Sequence, residues 1–578
     1  MKLVLAISFA LIAAECMAAA ATAEVWVVPS DSKVRPDDSP QSRNWIWEQR
    51  SKTISIEGAK NEHVPFQLVV SVPPPPPREP AASGFLVSAS DLTSPKGRIP
   101  SADVKLYFEH EILCPGPSSV IGAGGFWPDA LAPLSGPFGM AAEFRKAVKN
   151  RVLWIDVVTP PDAPAGDYSG ALRITKDGQP IERLALHLKV YDFALSSDTH
   201  LIAYMGLFSD RIAELHHVPP SSKQAKELLR NYYAFLYEHR MEPWFNEELR
   251  PRIAGDGDEV KLSFDEGAYT LYLDQLKTKK VILEAAPKQL TQDTRFTAFS
   301  EAGNKRVKSY LTQVVAYYRA HGWLDRLILN SPIDEPNTAQ DFENTRKWAS
   351  LVHQAAPGVP FLATKTPVPE NPAWGTLRGF VNDFSIHGNA LNSSAVKQAI
   401  REEQAKGGQM SWYISCDQSY PQPNYFIDAP AMDPVMVPWI TWRYGMQGIL
   451  YWDVKFWSMT PDPWVSPVTY PEGYFCSDQH ILNGEGSLLY PGSEVEQYTG
   501  QRNVNGPVSS IRFELLREGI QDYERLWMLK NLGDGKFADE AVKTMVIDVS
   551  AFSRNPADLF ELRAKIAQRI QQLTGARH

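Results

Sequence analysis

Arg326-Leu327-Ile328-Leu329-Asn330-Ser331-Pro332-Ile333-Asp334-Glu335-Pro336 reads as a buried strand that exits onto two adjacent acids. The apolar run 327–329 is short and unbroken, as in a strand covered on both faces. Pro332 has no N–H to donate, so the ladder stops there. Pro336 disfavours right-handed helical dihedrals at Glu335 and predicts an extended conformation for it. Consecutive strand residues face opposite sides. Two adjacent carboxylates can therefore share one pocket only where the chain has left that geometry, and residues 331–336 are such a place.

Working outward, short strands alternate with helical segments. Strands are expected at 202–207, 243–246, 281–285, 326–330, 360–364, 381–387, 410–416 and 448–453. Helices are expected at 223–238, 302–320, 338–355, 395–406 and 434–444. This alternation predicts a (β/α)8 TIM barrel over residues 197–508. A doubly wound open sheet is the rival, but no Gly-rich phosphate loop follows any strand. Catalytic groups of such barrels come from the carboxyl ends of strands. That rule sorts the four Asp-Glu pairs in the sequence. Asp258-Glu259 falls in a Gly/Asp turn, Asp265-Glu266 near a helix start, and Asp539-Glu540 on a polar face of the tail. Only Asp334-Glu335 directly follows a strand. An acidic pair in a loop is ordinarily a solvated surface pair; the strand exit and two flanking prolines set this one apart.

On the amino side, residues 24–196 show short apolar or alternating runs between turns, ending in a hairpin around Lys176-Asp177-Gly178. This pattern predicts an N-terminal β-sandwich. Residues 73–77 form a polyproline stretch, read as a stiff loop. On the carboxyl side, residues 509–578 read as the last barrel helix and a helical extension. There Arg512, Leu515, Leu516, Gly519, Ile520, Tyr523 and Leu526 follow the spacing of one buried stripe. The 578 residues exceed one core, so the chain is a multidomain α/β protein. Residues 1–23 have a basic start, an apolar stretch and an Ala21-Thr22-Ala23 site, the pattern of a cleaved export signal. A secreted or periplasmic protein without a membrane span is expected. Glu15 beside Cys16 argues against lipid attachment there. The net charge of −9 is spread without long runs, which gives no reason to expect nucleic acid.

Two close carboxylates suit glycosidic cleavage: mutual repulsion keeps a proton on one, while the other stays ionised to stabilise positive charge. Six of the sixteen tryptophans lie between 412 and 464, namely Trp412, Trp439, Trp442, Trp452, Trp457 and Trp464. Trp439 and Trp442, three apart on a helix, read as core. Trp412, Tyr413, Tyr451 and Trp452, near strand ends, read as a pocket for the C–H faces of a sugar. Tyr204, Trp244, Asn246, Lys365, His387, Asn389, Asp417 and Asp453 also occupy strand ends. No H-E-x-x-H, G-x-S-x-G or P-loop occurs, so neither metal nor cofactor is expected. Cys416 and Cys476 follow the seventh and eighth strands, on one barrel face, and a disulfide between them is expected, leaving Cys114 free.

The sequence resembles glycoside hydrolase family 123. The resemblance rests on Val25-Trp26-Val27-Val28, Ile56-Glu57-Gly58-Ala59-Lys60-Asn61-Glu62 and Asp334-Glu335-Pro336. It continues in Asn483-Gly484-Glu485-Gly486, Tyr490-Pro491-Gly492, Ser510-Ile511-Arg512 and Arg517-Glu518-Gly519-Ile520-Gln521-Asp522-Tyr523-Glu524. Glu485 and Glu518 stand where the family pattern has Asp. The resemblance implies an exo-acting β-N-acetylgalactosaminidase using substrate-assisted retention. In it, Glu335 is the acid and base, and Asp334 orients the 2-acetamido group. Two alternatives stay open: a retaining glycosidase on other sugars with Asp417 or Asp453 as nucleophile, and a secreted carbohydrate-binding protein without catalysis.

Overall fold

Apolar runs too short for helices collect into one parallel sheet in the computed structural model. The structure describes residues 23–72, 84–138, 149–292, 296–474, 476 and 480–575. Residues 1–22 of the expected export signal and the polyproline stretch at 73–77 lie outside the described residues. All eight expected strands are found, most of them shorter: β1 Ile202–Met205, β2 Glu242–Pro243, β3 Val281–Glu284, β4 Leu327–Asn330, β5 Phe361–Ala363, β6 Asp383–His387, β7 Gln409–Ile414 and β8 Gly448–Tyr451. They line up in the order β2-β1-β8-β7-β6-β5-β4-β3, with every neighbouring pair parallel. Between them run α1 Lys223–Glu238, α2 Glu301–Ala320, α3 Ala339–Ala355, α4 Ser394–Ala405 and α5 Met432–Arg443.

The sheet is curled in a TIM-like manner. Tyr204, Trp244, Ile282, Ile328, Leu362, Tyr413 and Leu450 project inward from opposite ends of the strand order and join one cluster. No ladder joins β2 to β3 among the described residues. There the Glu242 carboxylate accepts the backbone N–H groups of Lys279 at 3.0 Å and Lys280 at 3.2 Å. A side chain thus takes the place of ladder bonds, and burial pushes its pKa up to about 7.

Residues 24–194 form two sheets. One is antiparallel and runs, in spatial order, Glu24–Pro29, Glu62–Ser71, Asn150–Thr159, Val104–Cys114 and Gly125–Pro133. The other centres on Thr53–Lys60, Gln179–Ala194 and Gly166–Lys176. Inward residues of both, among them Trp26, Leu68, Ile54 and Leu186, pack in one cluster. Asp177 and Gly178 both take positive φ, 52° and 78°, as the two-residue hairpin turn requires.

The helix α6 Ile511–Leu529 corrects the single-stripe expectation, because every residue from Ile511 to Leu526 is buried. Its charged face is not solvated but turned onto the N-terminal sheets. Arg512 pairs with Asp129, Arg517 with Asp156, and Arg525 with Glu62. Burial pushes the Asp156 carboxyl upward, yet His63 and Arg517 beside it hold it below the usual carboxylate range. The tail is also not helical throughout: a small hairpin, Val546–Asp548 with Ala551–Phe552, separates helices Gly535–Met545 and Pro556–Gly575. The β-branched Val546-Ile547 pair favours extended backbone there.

Candidate active site

Beyond β4 the chain turns outward through Ser331-Pro332, and Asp334 and Glu335 stand exposed at the top of the sheet. Glu335 is not extended: its φ is +43°. Pro336 excludes the right-handed helical well, and the chain settles in the left-handed region, which costs a non-glycine residue on the order of 1–3 kcal/mol. Two contacts accompany that geometry. The Glu335 N–H donates to Thr364 Oγ1 at 3.0 Å, and the Tyr413 hydroxyl donates to Glu335 Oε1. Burial and the neighbouring Glu335 charge push the Tyr413 hydroxyl far above its ordinary value, which keeps it a donor. Thr364 Oγ1 in turn donates to Asp334 Oδ1 at 2.7 Å.

Glu335, Thr364, Tyr413 and Cys416 form a ridge between two cavities. One, about 500 Å3, is walled by Phe208, Trp244, Phe245, Trp452 and Tyr470, with Glu284, Lys288 and Asp334 at its polar edge. The other, about 560 Å3, is polar and holds Lys365, Glu370, His387, Asn389 and Asp417. Lys365 is paired with Glu370 at 2.8 Å. The Asn389 N–H donates to His387 Nδ1 at 3.1 Å, so Nε2 carries the proton and donates to Asp417 Oδ1 at 2.9 Å. Asn389 Nδ2 donates to Asp417 Oδ2 at 3.0 Å. Burial raises the Asp417 carboxyl, but His387, a backbone N–H and Asn389 together outweigh it, and the net direction is downward.

The aromatic wall is held from below. Trp452 Nε1 donates to Glu485 Oε1 at 2.8 Å, and the Tyr451 hydroxyl donates to Glu485 Oε2 at 3.1 Å. Burial pushes Glu485 up to about 7. Its neighbours Gly484 and Gly486 have φ of 76° and 68°, and a Cβ on Gly486 would strike the Trp452 ring. Arg512 fastens this loop by donating to the carbonyls of Gly484 at 2.9 Å and Ser487 at 2.7 Å.

The structure brings Asp334, Glu335, Trp244, Lys365, His387, Tyr413 and Trp452 together at the two cavities. Five expected residues stand elsewhere; one of them, Asn246, is buried and caps the short helix Glu247–Leu249 by accepting the Glu248 N–H at 3.0 Å. Trp412 alternates with the inward Tyr413, so it faces α5 and donates to Thr441 Oγ1 at 2.8 Å. Tyr204 is buried beneath Trp244, edge to face at 5.4 Å. Tyr451 supports Glu485 and the Gly486 N–H from behind the wall. Asp453 is buried in the turn after β8, where it accepts the Lys455 N–H at 3.0 Å, and lines neither cavity. That position removes it as a nucleophile. Thr364, Glu284 and Glu485 were missed. The first two obey the strand-exit rule, one residue past β5 and at the end of β3; the third lay within the Asn483–Gly486 motif.

Cys416 and Cys476 are bridged, with Cα atoms 5.7 Å apart, and both line the polar cavity; Cys114 is free and buried. Titration of denatured, unreduced residues 24–578 should therefore yield one thiol, rising to three on reduction. Three thiols before reduction would mean the bridge does not form.

Residues 261–529 match the family described as glycoside hydrolase 123, catalytic domain. No curated protein matches the sequence. Among solved structures, a family 123 glycoside hydrolase from Clostridium perfringens is similar at 15% identity and a TM-score of 0.67, covering 96% of this chain and 98% of that one. A family 39 glycoside hydrolase from Bacteroides cellulosilyticus WH2 follows at 10% identity and a TM-score of 0.31, covering 75% and 80%. At such identity the first of these speaks for the fold, and the family match covers the strand exit with both acids. Residues 261–529 thus match the catalytic domain of glycoside hydrolase family 123, and the likeness in fold to a solved member of that family extends over nearly the whole chain.

Proposed function

We propose that the chain is a secreted exo-acting glycosidase that removes terminal β-linked N-acetylhexosamine, N-acetylgalactosamine by preference, through substrate-assisted retention. The observation that carries this reading is the placement of Asp334 and Glu335 side by side, each anchored by its own hydroxyl partner. Adjacent acids serve one end of one sugar, not opposite faces of a scissile bond. Glu335 gives its proton to the departing glycosidic oxygen while the substrate's acetamido oxygen attacks C1. The C1–O bond breaks and an oxazolinium ring forms. Asp334, held by Thr364, orients the acetamido N–H and stabilises the positive charge on that ring. Glu335, now a base, takes a proton from water as it attacks C1 and reopens the ring with retention. The aromatic cavity offers ring faces to the sugar's C–H groups. The Clostridium perfringens protein is described by its hydrolysis of glycolipid glycans; a glycan or glycoconjugate end is the substrate proposed for this chain.

A second reading makes Asp417 a nucleophile, because it shares the polar cavity with Glu335. Double displacement needs its carboxylates about 5–5.5 Å apart across the bond, and both Asp417 oxygens are already engaged by His387 and Asn389. An N-acetylgalactosamine-derived thiazoline separates the two. It mimics the bicyclic intermediate and should inhibit strongly. Asp334→Asn should weaken its binding about 10²-fold, the scale of losing one preorganised group on developing charge. Rapid hydrolysis of aryl galactosides or glucosides, indifferent to the thiazoline, would favour Asp417 instead.

We also read residues 1–23 as an export signal, 24–196 as a β-sandwich domain, 197–508 as a (β/α)8 barrel and 509–578 as its last helix with a helical extension. The core shared by the two N-terminal sheets supports the sandwich. The interior cluster of the curled sheet supports the barrel. The disulfide suits an oxidising compartment.

A further inference from the structure

We propose that Thr364 is the positioning residue of the acid pair, one hydroxyl that sets the backbone of Glu335 and the carboxylate of Asp334 together. This rests on the reading of Asp334 and Glu335 as the reacting acids. Thr364 follows β5 directly and faces the exit of β4. Its Oγ1 accepts the Glu335 N–H at 3.0 Å and donates to Asp334 Oδ1 at 2.7 Å.

A hydroxyl has one proton and two lone pairs, so the two bonds fix one another. With its proton committed to Asp334, a lone pair is what meets the N–H. With the N–H as donor, Asp334 is the group left to accept. The same atom therefore steadies a backbone held at φ +43° and aims the neighbouring carboxylate. Packing does little for this pair, because both side chains are exposed. Tyr413 restrains Glu335 only at its carboxyl end. Thr364 restrains the segment at its root, where a small rotation moves both acids at once.

The test compares Thr364→Val, which keeps the shape and loses both bonds, with Thr364→Ser, which keeps the hydroxyl. The valine variant should lose ~10²-fold in kcat, the scale of a small misplacement of catalytic groups, with KM within about threefold of wild type. The loss should be similar for good and poor leaving groups, because Asp334 acts in every turnover. The serine variant should recover most of kcat. A valine variant with wild-type kcat overturns the proposal. So does a serine variant as slow as the valine one, or a loss that follows a falling melting temperature. If the wild type spares N-acetylhexosaminides but cleaves another glycoside, the proposed substrate fails while the Thr364 comparison is read on that glycoside. A crystal structure of Thr364→Val reads the same claim without turnover. Glu335 is expected to leave positive φ there, and an unmoved segment 331–336 overturns the proposal.

Discussion

Glu335→Gln should lower kcat/KM for an N-acetylhexosaminide with a sugar or alkyl leaving group by ~10²–10⁴-fold, the usual contribution of a positioned general acid. For a strongly activated aryl glycoside the same substitution should cost far less, because such a leaving group departs with little protonation. The comparison is made on kcat/KM, which reports the first bond cleavage and not the later attack of water. Glutamine keeps a carbonyl oxygen able to accept the Tyr413 hydroxyl, so the side chain stays in place and the loss is chemical. Plotted against leaving-group acidity, the variant should give a steep line where the wild type gives a shallow one. Parallel lines would take Glu335 out of the acid role and point to disturbed binding or folding.

Arg512→Met should destabilise the chain by about 3–5 kcal/mol, the cost of leaving one member of a buried pair alone. Arg512 is fully buried and meets Asp129 with two bonds, at 2.8 and 2.6 Å. Its remaining donors go to the carbonyls of Tyr425, Gly484 and Ser487. Methionine would strand the Asp129 carboxylate, itself fully buried, and leave it, among the described residues, the Tyr490 hydroxyl at 2.5 Å as its hydrogen-bond donor. The double variant Asp129→Leu/Arg512→Met should recover much of the loss, because two apolar side chains leave no charge unpaired. Denaturant midpoints of wild type, both single variants and the double one check this. A single variant as stable as wild type would show that the pair carries no weight. Activity should fall with Arg512→Met as well, since the loop that carries Glu485 beneath Trp452 loses two of its backbone anchors.

The strands of the catalytic region were legible because strands covered on both faces leave apolar runs between Gly, Pro and Asp punctuation. The disulfide was legible for a related reason: once β7 and β8 are placed, their following loops share a face. Strand phase was not. Trp412 and Tyr413 are equally good pocket candidates until the register says which one points inward, and a shift of one residue exchanges them. The left-handed Glu335 was out of reach because Pro336 excludes one backbone well without choosing between the others. Thr364 was out of reach because a threonine at a strand end has no chemistry until its two partners are known. On α6 the buried place of Arg512 was legible from the spacing but its partner was not, since the acid that answers it stands 383 residues earlier in the chain.

Charges matched across that distance bind the ancestry of the two regions. Glu62, Asp129 and Asp156 sit in the N-terminal sheets, and Arg525, Arg512 and Arg517 answer them from α6. Each pair is out of reach of water. Although Glu514 and Asp522 of α6 also answer Arg517 and Arg525, Arg512 is paired across the two regions with Asp129, so a mutation of either leaves a debt for the other to settle. The front of the gene is therefore not an exchangeable accessory. A recombination that joined residues 197–578 to a foreign N-terminal region lacking the acid at position 129 would bury the Arg512 guanidinium without its carboxylate. Among descendants of this sequence, Asp129 and Arg512 are expected to change together or not at all.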